Sequence, residues 1–346
     1  MPWIELAFTG LFHSMSGVDK NYQERVLDKY RDIRDNRNFS EDKLTELRRH
    51  FKAAPDEVKH GVVCVVACGS YARLEASSRS DLDILIVTRG ADNAGKMRDH
   101  VRRILRKLKL PLPNEKGVFA SDCDEHELLA EVGGTKEKYE TLSRRLLLLL
   151  ESRALLNNRS YDKLVAKIVA EYAGDVMADS TKNFVYLLND LIRYFRTICV
   201  NYQHSKGAEW GKWLIRNIKL RHSRVLMYFS LVASLGELSR FEGDDKVEEL
   251  KNYIGMTPLE RLFKCYGKAG DTNFFRFAGA CDVFLRYLSD EDSRSALAEL
   301  EYDERYGDRN FASLKANSDA IAAELTRFFF ARRGYWSERF FEYLII

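Results

Sequence analysis

Long apolar runs are missing from this sequence. The longest, Val62 to Cys68 and Leu146 to Leu150, fall far below the ~20 residues that a membrane-spanning helix needs, so no transmembrane segment and no membrane partner are expected. Cysteine is sparse and unpatterned: the six residues at 64, 68, 123, 199, 265 and 281 form no CxxC and no Cys/His ligand spacing. That excludes a disulfide framework and a zinc site and leaves buried, reduced thiols. An excess of one charge is lacking too. With 55 basic and 52 acidic residues the net charge is +3, too small for a protein that coats nucleic acid, because such binding rests on broad phosphate neutralisation. The N-terminal stretch MPWIELAFTGLFHSMSG has no basic leader and contains Glu5, which speaks against a secretory signal and for a cytoplasmic protein. His60, His100 and His126 have no recognisable nucleophile partner in the sequence, which argues against nucleophilic hydrolysis. Internal repeats and low-complexity tracts are absent.

What is present describes a folded chain. Hydrophobic residues make up 45% and charged residues 31% of 346 positions, a globular composition with length for two domains of ~100 to 200 residues. Residues 21–51 are polar and periodic, with a helical start expected at Ser40 ahead of Leu44, Leu47 and Phe51. Val62 to Cys68 and Asp81 to Val87 read as two buried strands, Lys96 to Lys109 as a basic helix stopped by Pro111 and Pro113, and Gly117 to Ala120 as a candidate third strand. From Glu127 onward the periodicity is almost wholly helical, with Pro258 the single proline. The expectation is an α+β fold: a small mixed β-sheet domain with N-terminal helices over residues 1–160, followed by an all-α domain over 161–346. The boundary falls between Asn157 and Gly174, where Leu155 to Ser160 reads as a break between two helices.

The chemistry concentrates between Gly69 and Asp83. A strand runs into Gly69-Ser70, and with Tyr71 onward helical, the turn offers free backbone N–H groups and a hydroxyl to a phosphate. Glycine lets the backbone approach that ligand closely. Asp81 and Asp83 lie two apart on a strand, so both carboxylates project from one face while Leu82 and Ile84 point into the core. Such a pair suits a hard cation that shares its shell with phosphate oxygens. Ser70 and Asp81 are 11 residues apart, room for two or three helical turns and a return to a neighbouring strand. The plainer account makes Gly69-Ser70 an ordinary turn and both aspartates solvated.

This stretch resembles the polymerase-beta nucleotidyltransferase superfamily, whose motif is a Gly-Ser turn followed by an acidic-x-acidic strand; Gly69, Ser70, Asp81 and Asp83 match it. Within that superfamily, Arg73, Glu75 and Ser80-Asp81-Leu82-Asp83 look most like proteins related to the enzyme that uridylylates the nitrogen-signalling PII protein, as does Leu148 to Arg153. The resemblance implies that Asp81 and Asp83 hold Mg²⁺, with Mn²⁺ as the alternative cation. It further implies transfer of a nucleoside monophosphate from a nucleoside or deoxynucleoside triphosphate to a hydroxyl, with pyrophosphate leaving. Gly69, Ser70, Arg73 and Ser80 would lie on the nucleotide. Members usually carry a third carboxylate on a later strand; Asp122 and Glu151 are equal candidates, with Asp124 behind them. For Glu151 the competing account is an ion pair with Arg153 or Arg145.

Trp210 to Arg224 reads as one helix with Trp210, Leu214 and Ile218 as its buried stripe. Lys212, Arg216 and Lys219 recur at helical spacing, and Asn217, Arg221 and Arg224 repeat it one step around. Arg193 and Arg196 lie on a preceding helix, and this region is similar to the helical companion domain of the uridylyltransferase-like proteins. Arg216 and Lys219 are candidate clamps for a triphosphate; the alternative is a solvated face neutralised by Asp190 and Glu209. The aromatic cluster at Phe328 to Tyr343 is core or a surface for a homo-oligomer. The subgroup resemblance favours a protein or a nucleotide as acceptor over a small molecule. The rival from another class is a catalytically inactive nucleotide-binding regulator, or one component of a defence or toxin pair.

Overall fold

The computed structural model describes residues 20–90, 94–111, 118–119, 122–134, 136–174, 184–204, 210–241, 243–301 and 303–345. Its centre is a mixed sheet in the order β3-β2-β1-β4. Strand β1 (Val62–Cys68) and strand β2 (Asp83–Thr88) are antiparallel, with Cys68 opposite Asp83. Strand β4 (Ser152–Leu156) pairs antiparallel with the other side of β1, placing Ser152 opposite Cys68. Strand β3 is only Cys123–Asp124, parallel to β2 beside Val87 and Thr88.

Because side chains alternate along a strand, the sheet serves two cores. Val65, Ala67, Leu82, Ile84 and Ile86 pack with Leu44, Leu47 and Phe51 of the helix Arg31–Lys52 and with Met97 and Val101 of the helix Ala94–Lys107. Cys64, Val66, Cys68, Leu85 and Val87 face the larger core, made with the helices Tyr139–Leu150, Asn158–Ala173, Val185–His204 and those that follow. A strand covered on both faces is apolar throughout, and all seven residues of β1 are buried.

The larger core joins Val66 and Leu148 to Leu164 and Ile168 without a break at residue 160. The helix Arg31–Lys52 also bridges the two parts: Ile33 N donates to Asp282 Oδ1 at 3.0 Å, and Arg37 bonds Glu260 at 2.8 Å.

Several expectations are corrected. Ser40 does not begin a helix but sits inside Arg31–Lys52, donating its hydroxyl to Asn36 O at 2.7 Å. The third strand is Cys123–Asp124: Val118 and Phe119 form a turn, and Gly117 and Ala120 lie outside the described residues. The helical stretch after Glu127 is interrupted by β4, so the break at Leu155 to Ser160 separates a strand from a helix. The helix after Ser70 is one turn, Ser70–Arg73, not two or three.

Five of the cysteines are buried free thiols and Cys199 is half-buried. No helix among the described residues is long and apolar enough to cross a membrane. Of the C-terminal aromatics, Phe328, Trp336 and Phe340 are core, whereas Phe330 and Tyr335 are exposed.

Candidate active site

Gly69 follows β1 with φ +69° and ψ −141°, a conformation that L side chains rarely adopt. A Cβ added there would also lie 3.0 Å from Asp83 Oδ2, so both backbone and space require glycine. The chain then makes its single turn, Ser70–Arg73, and leaves it through Leu74 in the left-handed region at φ 60°. The returning loop is pinned from two sides and once within itself. Ala76 N donates to Ser40 Oγ at 3.1 Å, Ser77 N donates to Ser80 Oγ at 3.0 Å, and Arg294 donates to Arg79 O at 2.9 Å. Asp81 comes just ahead of β2 and is exposed; Asp83 opens β2 and is half-buried. Alternation puts both on the face shared with Leu85 and Val87, toward the larger core.

The opposite wall comes from the basic helix. Trp210–Lys219 continues through a π turn, Leu220–Arg224, into Val225–Leu238. The wider turn changes the angular spacing, and Lys219, Ser223 and Arg224 all line one cleft of about 100 Å³ with Gly69, Ser70, Arg73, Ser80, Asp81, Asp83 and Arg294. Between them His222 anchors the turn to the core. Its Nδ1 donates to Ile218 O at 2.8 Å, its Nε2 accepts from Asn317 at 3.3 Å, and its ring stacks on Phe284 at 4.3 Å. Burial lowers its pKa to about 4, so it is neutral at pH 7.

Beneath the cleft lies Glu151, at the end of the helix Tyr139–Leu150 and only 3% exposed. Arg73 and Arg224 both bond its carboxylate, and Arg73 also bonds Glu75 at 2.8 Å. Burial works against the Glu151 charge, yet Arg224 and Arg73 hold its pKa below the usual range. Burial likewise opposes the charge on Arg224, and Glu151 keeps that guanidinium firmly protonated. This triad, with Arg73 and Glu151 buried and Arg224 half-buried, ties together the glycine turn, the junction between the helix Tyr139–Leu150 and β4, and the π turn.

The expected site residues separate accordingly. Gly69, Ser70, Arg73, Ser80, Asp81, Asp83 and Lys219 come together in the cleft. Glu151 sits under it, paired with Arg73 and Arg224 and not with Arg153 or Arg145; Arg145 bonds Tyr172, Glu137 and Asp190. Asp122 does not join the site. It bonds Arg98 at 2.6 Å beside the far end of β2, roughly 10 to 17 Å along the strand from Asp83. Asp124 is also at that end, accepting from His126 N and Gly90 N at 2.8 Å. Arg216 is exposed and off the cleft. Asp190 pairs with Arg145 and Arg193, not with the basic helix, and Glu209 lies outside the described residues. Arg294 and Tyr202 were not anticipated, since neither stands in a local pattern; only helix packing brings them to this wall.

Among the described residues no group of three or more His, Cys, Asp or Glu is set to hold a metal. The donor set is two carboxylates, which fits Mg²⁺, an ion that takes one or two carboxylates and completes its shell with water and substrate phosphate. Burial, with Glu151 and Asp81 adding to it and Arg224 opposing, pushes the Asp83 pKa up to about 6. A cation beside it would relieve that penalty.

Residues 47–133 match the nucleotidyltransferase domain family. This segment is a nucleotidyltransferase domain of the polymerase-beta type. Among curated proteins, none matches the chain. The match encloses the glycine turn and both aspartates of the nucleotidyltransferase domain. Lys219, Arg224 and Arg294 lie beyond it and reach the cleft through packing, and Glu151, also beyond it, holds Arg73 and Arg224 from beneath.

Lys219 carries a pH prediction. Burial and the neighbouring Arg294 lower its pKa to about 8, so its charge is present below that pH and lost above it. The KM for triphosphate is expected to rise as pH passes 8. Lys219→Arg should displace this limb to higher pH, and Lys219→Met should remove it while raising KM about tenfold at pH 7. An unchanged limb in Lys219→Arg would assign the titration to another group.

Proposed function

We propose that the protein transfers a nucleoside monophosphate from a nucleoside triphosphate to a hydroxyl acceptor, releasing pyrophosphate, with Mg²⁺ or Mn²⁺ as cofactor. One observation carries this reading: the glycine turn, Asp81 and Asp83 share a cleft with Lys219, Arg224 and Arg294, so carboxylates for a cation face side chains that oppose phosphate charge. Asp81 and Asp83 would hold the cation, which supplies charge neutralisation at the triphosphate and lowers the pKa of the attacking hydroxyl. Gly69 lets the backbone approach the phosphates, and Ser70 offers a hydroxyl donor beside them. Lys219 and Arg294 balance the charge of the departing pyrophosphate. The cleft volume of about 100 Å³ suits the polyphosphate, leaving the base toward the rim. A protein or a nucleotide is the favoured acceptor, and the cytoplasm the favoured compartment.

The test is incubation with each α-labelled triphosphate in Mg²⁺ or Mn²⁺, following pyrophosphate and the fate of the label. Label on a protein band, on an oligonucleotide ladder or on a small product identifies the acceptor. Tight triphosphate binding with no pyrophosphate from any of them, whatever acceptor is supplied, would instead make the protein a nucleotide-sensing regulator.

A further inference from the structure

A larger cavity than the catalytic cleft is lined by Arg153, which bonds Ala72 O of the one-turn helix Ser70–Arg73. It measures about 570 Å³ and, among the described residues, shares no lining side chain with the cleft. That volume falls within the range of small-molecule sites. Aromatic rings of Tyr22, Phe263, Phe274 and Phe275 line it.

Its charges are unevenly matched. The carboxylates of the wall are all engaged: Glu260 accepts from Arg37 at 2.8 Å and from Thr257 N at 2.7 Å, Asp271 accepts from Asn273 N at 3.0 Å, and Glu41 faces Arg37 at 3.0 Å. Two cations are not. Arg153 spends its Nε on Ala72 O at 2.8 Å, and neither of its Nη groups bonds another described residue. Arg25 stands over the Phe275 ring at 4.6 Å with no carboxylate partner among the described residues. Burial, with Arg37 nearby, lowers the Arg153 pKa despite Glu260, as expected of a guanidinium short of a counter-ion. A half-buried arginine fork that still has donors to give is suited to a phosphate, and the half-buried rings of Phe263 and Phe275 are suited to a planar base.

We propose that this cavity is a second nucleotide site: Arg153 takes the phosphate of the ligand and the aromatic wall takes its base, outside the catalytic cleft. The site is coupled to the first one by construction. The guanidinium that meets the ligand also holds Ala72 O, three residues beyond Gly69, so occupancy bears on the turn that approaches the substrate phosphates. The proposal goes beyond the transfer reaction and does not depend on it.

Calorimetric titration with AMP, GMP, CMP and UMP separately, in EDTA to remove the cation that the cleft relies on, tests it. At least one monophosphate should bind one-to-one. Arg153→Gln should weaken that binding about tenfold or more, while Lys219→Met, in the cleft, leaves it as it is. Gly267→Phe provides a second variant: Gly267 lines the cavity within the helix Pro258–Lys268, and a Cβ there meets nothing within 4 Å. Replacing a helical glycine favours the helix, so this protein should fold, with an unchanged circular dichroism spectrum, and bind none of the four. The proposal is overturned by wild type that binds no monophosphate at millimolar concentration, by binding that survives both Arg153→Gln and Gly267→Phe, or by inorganic phosphate binding as tightly as the nucleotides.

Discussion

Asp83→Asn is expected to reduce pyrophosphate release by about a thousandfold or more, the scale of the several kcal/mol that a correctly held cation contributes, and Asp81→Asn to do nearly as much. Asparagine keeps the shape of Asp83 and removes only its charge, so the loss should appear in kcat and in metal dependence rather than in folding. The stability effect should have the opposite sign. The folded Asp83 carboxyl has its pKa raised to about 6, chiefly by burial. The unfolded chain therefore ionises first, and stability falls as pH climbs from about 4 to 6. Removing the charge should stabilise the protein at pH 7 by up to about 3 kcal/mol, a rise of a few degrees in Tm. Enzyme assays paired with thermal melts at pH 5 and pH 7 check both halves. Full turnover in Asp83→Asn would remove it from the chemistry; lost turnover accompanied by a lower Tm would mark its role as structural.

Glu151→Ala is expected to be the most destabilising single change near the cleft. It leaves Arg224 without its carboxylate and Arg73, whose side chain is only 6% exposed, with Glu75 alone. Breaking such a buried pair typically costs about 3 to 5 kcal/mol because an uncompensated charge stays behind. Urea denaturation should show a lower midpoint, and the loss should be smaller in Glu151→Ala combined with Arg224→Met, since fewer orphaned cations remain. A Glu151→Ala protein within about 1 kcal/mol of wild type would mean that the triad does not hold the walls together.

The two kinds of residue in these predictions differ in how they could be found. Gly69 and the Asp81/Asp83 pair are legible because their requirements are local: a positive φ at the end of an apolar strand, and alternation that aims two carboxylates to one side. Lys219 stands in a helical charge pattern, but so does Arg216, and only Lys219 reaches the cleft. The π turn at Leu220–Arg224 decides which cations face inward, and no composition rule announces it. Asp122 had the expected position after an apolar stretch, yet β3 runs beside the far end of β2.

The amino-acid sequence by itself determined the two central strands, the glycine turn and the acidic pair, and with them the match of this segment to the nucleotidyltransferase domain family, because backbone sterics and period-two alternation act over a few neighbouring residues. Only the tertiary structure decided that Ser152–Leu156 is a strand, since its apolar residues suit either state until β1 offers a ladder to pair with. It alone decided the partners of Glu151, which lie 78 and 73 residues away. It also decided the cationic wall, because which helix face meets which sheet face is set by packing between distant segments.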